Sequence, residues 1–316
     1  MAVIDNTKLG VIFVLFAMFF ISINDMLVKL LSDGYPLHQL VFIRSIIGIC
    51  VTLVFLHFEG GWRLLKTRRL GLHALRAGLV VTANMTFFAA IAVMPLADAT
   101  ALFFVAPLFI TLLSVLVLGE TVGPRRIAAI CVGFLGVVVV MRPGVDLGAD
   151  LPSRWVLTLP LIAAACYAGM QVLTRKLGGE SSAAAMAIYI QVTFILVSTG
   201  FFVIAGDGRY AEGSTDPSLI FLLRAWTLPP VADWWLFGLM GVAAGGIGYA
   251  LSQAYRIANA SVIAPFEYFN LPMAIFWGWM VFGEFPDVWV AMGIALIALS
   301  GIYVFLRERV KAEQAP

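Results

Sequence analysis

The sequence predicts an all-α integral membrane protein with ten transmembrane helices, arranged as two inverted five-helix repeats around a central cavity. Three observations carry this. Apolar residues make up 62% of the 316 residues and charged residues 12%, against about 45–50% and about 25% in soluble domains. Ten apolar segments approach the length of about 20 residues that a helix needs to cross a bilayer. The second half of the chain repeats a pattern of the first at an interval of about 164 residues, and internal repetition is a fold-level signal.

The composition excludes a soluble enzyme and a disordered chain. A net charge of +2 gives no reason to expect a nucleic-acid partner; the expected surroundings are the lipid bilayer. Cys50, Cys131 and Cys166 all lie in apolar runs without metal-ligand spacing. They read as small buried hydrophobes rather than a disulfide framework. The first apolar run, Gly10 to Leu31, is too long for a signal-peptide core and lacks a small-residue cleavage site, so it reads as a retained span.

The spans fall at 10–31, 38–57, 74–94, 98–118, 125–141, 155–174, 183–205, 233–253, 259–282 and 288–306. Breakers separate them, among them Pro36, Gly60-Gly61, Pro95, Gly123-Pro124, Pro143-Gly144, Gly178-Gly179, Pro229-Pro230 and Pro286. Two links are longer: a basic one at 58–73 and a mixed one at 206–232, with Trp226 at an expected interface. Of the 20 Lys and Arg residues, fourteen, Arg76 among them, fall on the side of the N-terminus and four on the other. Basic residues mark the cytoplasmic side. Both termini are therefore expected in the cytoplasm, in a bacterial inner membrane.

Residues 97–120 read ADATALFFVAPLFITLLSVLVLGE and residues 258–284 read ANASVIAPFEYFNLPMAIFWGWMVFGE. Each opens Ala-polar-Ala, carries a mid-span proline (Pro107, Pro272) and ends in Gly-Glu (Glu120, Glu284). The span that follows each one ends in arginine, Arg142 or Arg307. The interval covers five helices, an odd number, so the second copy enters the membrane inverted. Inverted repeats are typical of secondary transporters, with the substrate site at the repeat interface near the midplane. The expected division is 1–145 for spans 1–5 and 146–316 for spans 6–10.

These stretches, PLADATALFFVAPLFITLLSVLVLGE and IANASVIAPFEYFNLPMAIFWGWMVFGE with the span after each, resemble the EamA-type repeat of the drug/metabolite transporter superfamily. The resemblance covers nearly the whole chain. It implies two five-helix halves around a central cavity, carrying small metabolites by alternating access. Many members of that superfamily have a Glu directly before the second-half proline. Here Leu271 stands there, and Glu267 lies five residues before Pro272.

Polar groups inside spans are costly and usually face the bundle interior. Asp25 and Lys29, at i and i+4, are placed to pair; with Arg44 they form either a charged gate or clamp, or a structural cluster fixing spans 1 and 2. Asn24 faces another direction. Glu267 lies between Pro265 and Pro272. Desolvation there suits a group that takes up and gives up protons, and backbone freed by prolines can coordinate a substrate; the alternative is a packing acid paired with a distant side chain. Tyr268 and Asn270 neighbour it but cannot all share its face. Asn84, Tyr167, Gln171 and Gln191 are further candidates for substrate contact, with interhelical hydrogen bonds as the alternative. Gln253, Tyr255 and Arg256 form a polar cluster at the end of span 8, with Arg256 as an interface anchor. Glu120 and Glu284 are expected to bond backbone at the next helix start, and Asp98 and Asn259 to act as N-caps. The glycine-rich 241–248 stretch permits close helix contact.

Catalytic and phosphate-loop motifs are missing from the sequence, and no cofactor or metal site is expected. The expected function is secondary transport of a small organic metabolite, an amino-acid-like zwitterion or organic acid, coupled to protons or to a counter-substrate, by a monomer or homodimer. A broad-specificity exporter is the alternative; a membrane enzyme, sensor or channel ranks below both.

Overall fold

The computed structural model describes residues 7–67, 69–118, 124–141, 155–177, 181–258 and 263–313. Among these residues the structure is helical, with no strand. In chain order the helices are α1 (Thr7–Leu31), α2 (Leu37–Glu59), α3 (Leu70–Ile91), α4 (Leu96–Phe103), α5 (Ala106–Leu118), α6 (Pro124–Met141), α7 (Leu159–Leu177), α8 (Ala183–Ala205), α9 (Pro217–Leu223), α10 (Trp234–Ile257), α11 (Asn270–Phe282) and α12 (Val288–Glu313). A 3-10 segment, Ala264–Phe269, leads into α11.

Seven described stretches are long and apolar enough to cross a membrane, and Ile127–Met141 and Val288–Tyr303 are shorter apolar helices. With the broken 264–282 segment they occupy the ten expected places. The pattern of exposure is that of a lipid-facing bundle. Leu116 is 79% exposed and Val203 74%, while Asp25, Arg44, Arg76 and Glu267 are all 6% exposed or less. A water-facing protein would reverse this arrangement.

Local chemistry sets the ends. Ser182 caps α8 by accepting the Ala185 N–H. Asp216 caps α9, with Pro217 at its first position. Gly283 ends α11 at φ +68°, a left-handed conformation open to glycine at little cost. The mid-span prolines start new helices: Pro107 is the second residue of α5 and Pro272 the third of α11. A first turn tolerates a missing N–H, so each expected span divides just before its proline.

Helix α1 packs on α10, α3 on α7, α2 on α8, and α6 on α12. Shifting every span by five places returns the same set of pairs. Small residues bring the backbones together. A Cβ on Gly136 would lie 2.9 Å from the Gly293 carbonyl oxygen, and one on Gly293 would lie 2.8 Å from that of Gly136, closing α6 on α12. Gly241 and Gly245 do the same for α10 against α2, as the glycine-rich stretch suggested.

Some expectations gain detail and others are corrected. The 206–232 link is partly helical, and α9 seats it on the bundle: Ser218 donates to the Ala89 carbonyl at 3.0 Å, and Arg224 donates to the carbonyls of Ser32 and Asp33. Trp226 is half-buried and packs on Phe42 and Phe202. Cys50 and Cys131 are exposed, on the outer flanks of their helices, whereas Cys166 is half-buried against the core. Asp98 lies within the first turn of α4, which starts two residues earlier after Pro95. Asn259, Glu120 and Arg142 lie outside the described residues.

A Cβ at Gly245 would meet the Gly48 carbonyl oxygen and the Val51 Cβ, both at 2.8 Å, whereas at Gly246 the nearest atom is 3.6 Å away. Gly245→Ala is expected to lose about 1–3 kcal/mol and Gly246→Ala to be near neutral, read as melting temperatures of the purified protein in detergent.

Candidate substrate cavity

A cavity of about 170 Å³ opens between α1, α2, α3, α4, α7, α8, α10 and the 264–270 segment. Among the described residues its polar lining comprises two clusters, Gln191, and an arginine that stands apart from both clusters.

The first cluster is built on Arg44. Its Nη2 donates to Asn84 Oδ1 at 2.8 Å and its Nη1 to Asn24 Oδ1 at 3.2 Å. Asn24 Nδ2 in turn donates to Asp25 Oδ1 at 3.3 Å, and Asn270 reaches toward the same carboxylate. Asn24 is thus a spacer between a cation and an anion. The guanidinium lies over the rings of Phe88 and Phe194, 5.0 and 5.2 Å from their centroids, where cation–π attraction offsets part of the desolvation.

The second cluster is built on Glu267, whose Oε1 accepts from Tyr167 Oη at 3.0 Å and from Tyr255 Oη. Gln171 Nε2 donates to Tyr167 Oη at 2.6 Å. The 3-10 geometry decides who faces the cavity. Residues three apart eclipse in such a helix, so Glu267 and Asn270 share the cavity face and Tyr268 turns away. Tyr268 stacks on Phe104 at 5.2 Å and fills the space beside Gly301; it does not line the cavity.

Arg76 is the arginine that stands apart. Its Nε donates to Thr174 Oγ1 at 2.6 Å and its Nη1 to the Met186 carbonyl at 3.2 Å. The sequence reading placed it with the membrane-surface arginines, yet it is 3% exposed and lines the cavity. The signal lay in the spacing: Arg76, Val80 and Asn84 fall at i, i+4 and i+8, one face of α3.

Lys29 also departs from expectation. It does not pair with Asp25. Its Nζ donates to Glu284 Oε1 and Oε2 at 2.7 and 2.8 Å and to the Met94 carbonyl at 2.7 Å. Glu284 Oε2 accepts the Leu96 N–H at 3.2 Å. Glu284 therefore binds the start of α4 rather than the helix that follows it, and Lys29 ties α1 to the α11–α12 link instead of lining the cavity. Asp25 and Lys29 share a face of α1, but the cavity draws one inward while the opposite carboxylate takes the other.

Gln191 lines the cavity as expected, with its Oε1 unpartnered among the described residues, as is Asn270 Oδ1. Asn24, Tyr255, Thr174 and the rings of Phe87, Phe88, Phe103 and Phe194 are additional lining or supporting groups. The Tyr255–Glu267 bond crosses a helix break between α10 and the 3-10 segment, which no single-helix periodicity reveals. Arg256 is exposed and apart from Tyr255, bonding Gln253 at 3.3 Å, as an anchor would.

The EamA-like transporter family matches residues 8–142. A riboflavin transporter from Vibrio cholerae is 30% identical over 283 residues, which cover 89% of this chain and 87% of that protein. The chain belongs to the EamA-like transporter family. Further relatives of the family share its length. An S-adenosylmethionine uptake transporter from Rickettsia prowazekii is 26% identical, covering 95% of this chain and 93% of that protein. A pseudopaline exporter from Pseudomonas aeruginosa is 27% identical, covering 95% and 97%. A solved structure described as "Crystal structure of protein" superposes with a TM-score of 0.67 at 16% identity, over 95% of this chain and 98% of that chain, which shows the fold alone. This EamA-like protein is thus a multi-pass membrane transporter of small molecules.

The Lys29–Glu284 pair is mostly enclosed, its side chains 10% and 31% exposed. Lys29→Met leaves a half-buried carboxylate and is expected to lose about 1–2 kcal/mol of stability. The double variant Lys29→Met/Glu284→Met should recover part of that, as a double-mutant cycle of thermal unfolding would read.

Proposed function

We propose that the protein is a secondary carrier moving a small, ring-containing organic metabolite across a bacterial inner membrane by alternating access, with a proton or a counter-substrate as coupling partner. The carrying observation is the cavity itself, which draws polar groups from both ends of the chain: Asn24, Asp25, Arg44 and Asn84 from the first half, Tyr167, Gln171, Gln191, Glu267 and Asn270 from the second. In this reading residues 1–145 and 146–316 are inverted five-span halves. The helix pairing that survives a five-span shift supports it, as do the paired breaks before Pro107 and Pro272. A substrate held between such halves changes its exposure when they rock.

In the same reading the Lys29–Glu284 pair closes the outward end. It joins α1 to the link between α11 and α12, beside the start of α4. Breaking it lets that end open. Glu267, bonded by two phenols, is the group that exchanges the coupling proton.

The aromatic lining favours a flat substrate, and relatives named for riboflavin supply one chemical type. The zwitterion or organic-acid expectation gains from Arg76, which adds a second cavity arginine to Arg44. A broad-specificity exporter is the second reading, favoured by the relative named as an exporter.

The test is flux in proteoliposomes with riboflavin and S-adenosylmethionine as probes, with and without a pH gradient. Saturable uptake or efflux is expected, faster under the gradient. Glu267→Gln should keep binding and lose the response to the gradient. A variant that transports normally and still responds removes Glu267 from coupling; flux that never saturates points to a channel.

A further inference from the structure

Two arginines face one cavity, but they are not equivalent. Arg44 lies over the rings of Phe88 and Phe194, and both terminal nitrogens donate to asparagine carbonyls. Its charge is further balanced by Asp25 one asparagine away. Arg76 has no such neighbour among the described residues. Its acceptors are both neutral, the Thr174 hydroxyl and the Met186 carbonyl. The Thr174 hydroxyl is itself committed as a donor to the Met170 carbonyl at 2.8 Å. Among the described residues no carboxylate lies within ion-pair distance of Arg76, and its Nη2 makes no hydrogen bond. A guanidinium 3% exposed and held only by neutral acceptors carries an uncompensated desolvation cost. That cost is recovered by an oxyanion, which a guanidinium binds through charge-assisted hydrogen bonds.

The rest of the cavity says what the oxyanion is attached to. Arg76 and Asn84 lie on one face of α3, about 12 Å apart along the axis. Past Asn84, Phe87 packs tilted against Phe103 and Phe103 edge-on against Tyr167, with centroid separations of 5.1 and 5.3 Å. Gln191 Oε1 and Asn270 Oδ1 are buried acceptors without donors. Buried acceptors left unpaired are costly, so they suit a ligand with N–H or O–H groups.

We propose that Arg76 is the oxyanion-binding end of the cavity, and that the substrate is a ring-bearing acid: a carboxylate or phosphate held by the free edge of Arg76, a flat body against Phe87, Phe103 and Tyr167, and hydrogen-bond donors toward Gln191 and Asn270. This rests on the transporter reading and specifies its substrate class. Neither the family nor the relatives' names point to Arg76; the neutral environment of the guanidinium does.

The test compares matched probes on the purified full chain in detergent: nicotinate against nicotinamide, and riboflavin phosphate against riboflavin, with inorganic phosphate alone as a third arm. Affinity is read by calorimetry and by thermal shift. At least one acid should bind more tightly than its neutral partner, by about tenfold or more. Arg76→Gln should abolish that preference, and Arg76→Lys should restore part of it, as a point charge does at an oxyanion site. Monodispersity on size exclusion checks that the variants are folded. The proposal is overturned if neither acid is preferred, or if the preference survives in Arg76→Gln. It is overturned equally if inorganic phosphate alone gives the same Arg76-dependent shift, since the ring would then contribute nothing. A transporter that fluxes neutral probes in liposomes yet shows no acid preference loses this subsite and keeps the carrier reading.

Discussion

Charge buried inside a bundle with an apolar outer flank is the constraint on which the rest of this structure depends. Asp25, Arg44, Arg76 and Glu267 are all nearly inaccessible, and each needs partners that lipid cannot supply. The helices are arranged to provide them. Asparagines on α1 and α3 grip Arg44, phenols on α7 and α10 grip Glu267, and a hydroxyl on α7 with a carbonyl on α8 holds Arg76. The partners of Arg44, Glu267 and Arg76 all lie on helices other than the charge's own, so satisfying these charges and assembling the cavity are one event.

Close approach makes this possible. Gly48, Gly241 and Gly245 bring α2 and α10 within backbone contact, and Gly136 and Gly293 do the same for α6 and α12. In lipid there is no hydrophobic drive between helices beyond packing and hydrogen bonding. Small residues therefore hold the scaffold, and larger aromatic ones are free to line the cavity. The helix breaks complete it. The 3-10 turn before α11 stacks Glu267 over Asn270 and turns Tyr268 into the packing against α12, a division of roles that an unbroken α-helix would not give.

The two ion-binding arrangements differ in kind. Lys29 and Glu284 satisfy each other with additional backbone partners, a closed set suited to fastening one end of the bundle. Arg76, among the described residues, is held by neutral groups alone. The same physical rule, that a desolvated charge seeks its opposite, explains the first as a fastening and underlies the oxyanion proposal for the second.

The sequence by itself determined the class, the ten apolar segments, the proline-marked repeat and most of the cavity's polar groups, since Asn84, Tyr167, Gln171, Gln191, Glu267 and Asn270 all lie where the cavity forms. Hydropathy is summed over local windows, and a polar group inside a span has few places to go but inward. Only the tertiary structure decided the partners. Lys29 and Asp25 stand one helical turn apart, yet the acid 255 residues away takes the lysine. Arg76 looked like a surface arginine by its place near a helix start, yet the packing of α3 against α7 and α8 encloses it. Tyr268 and Asn270 were separated by a turn type that composition does not announce. Pairing energies depend on distances between segments remote in sequence, and only the packed bundle sets those distances.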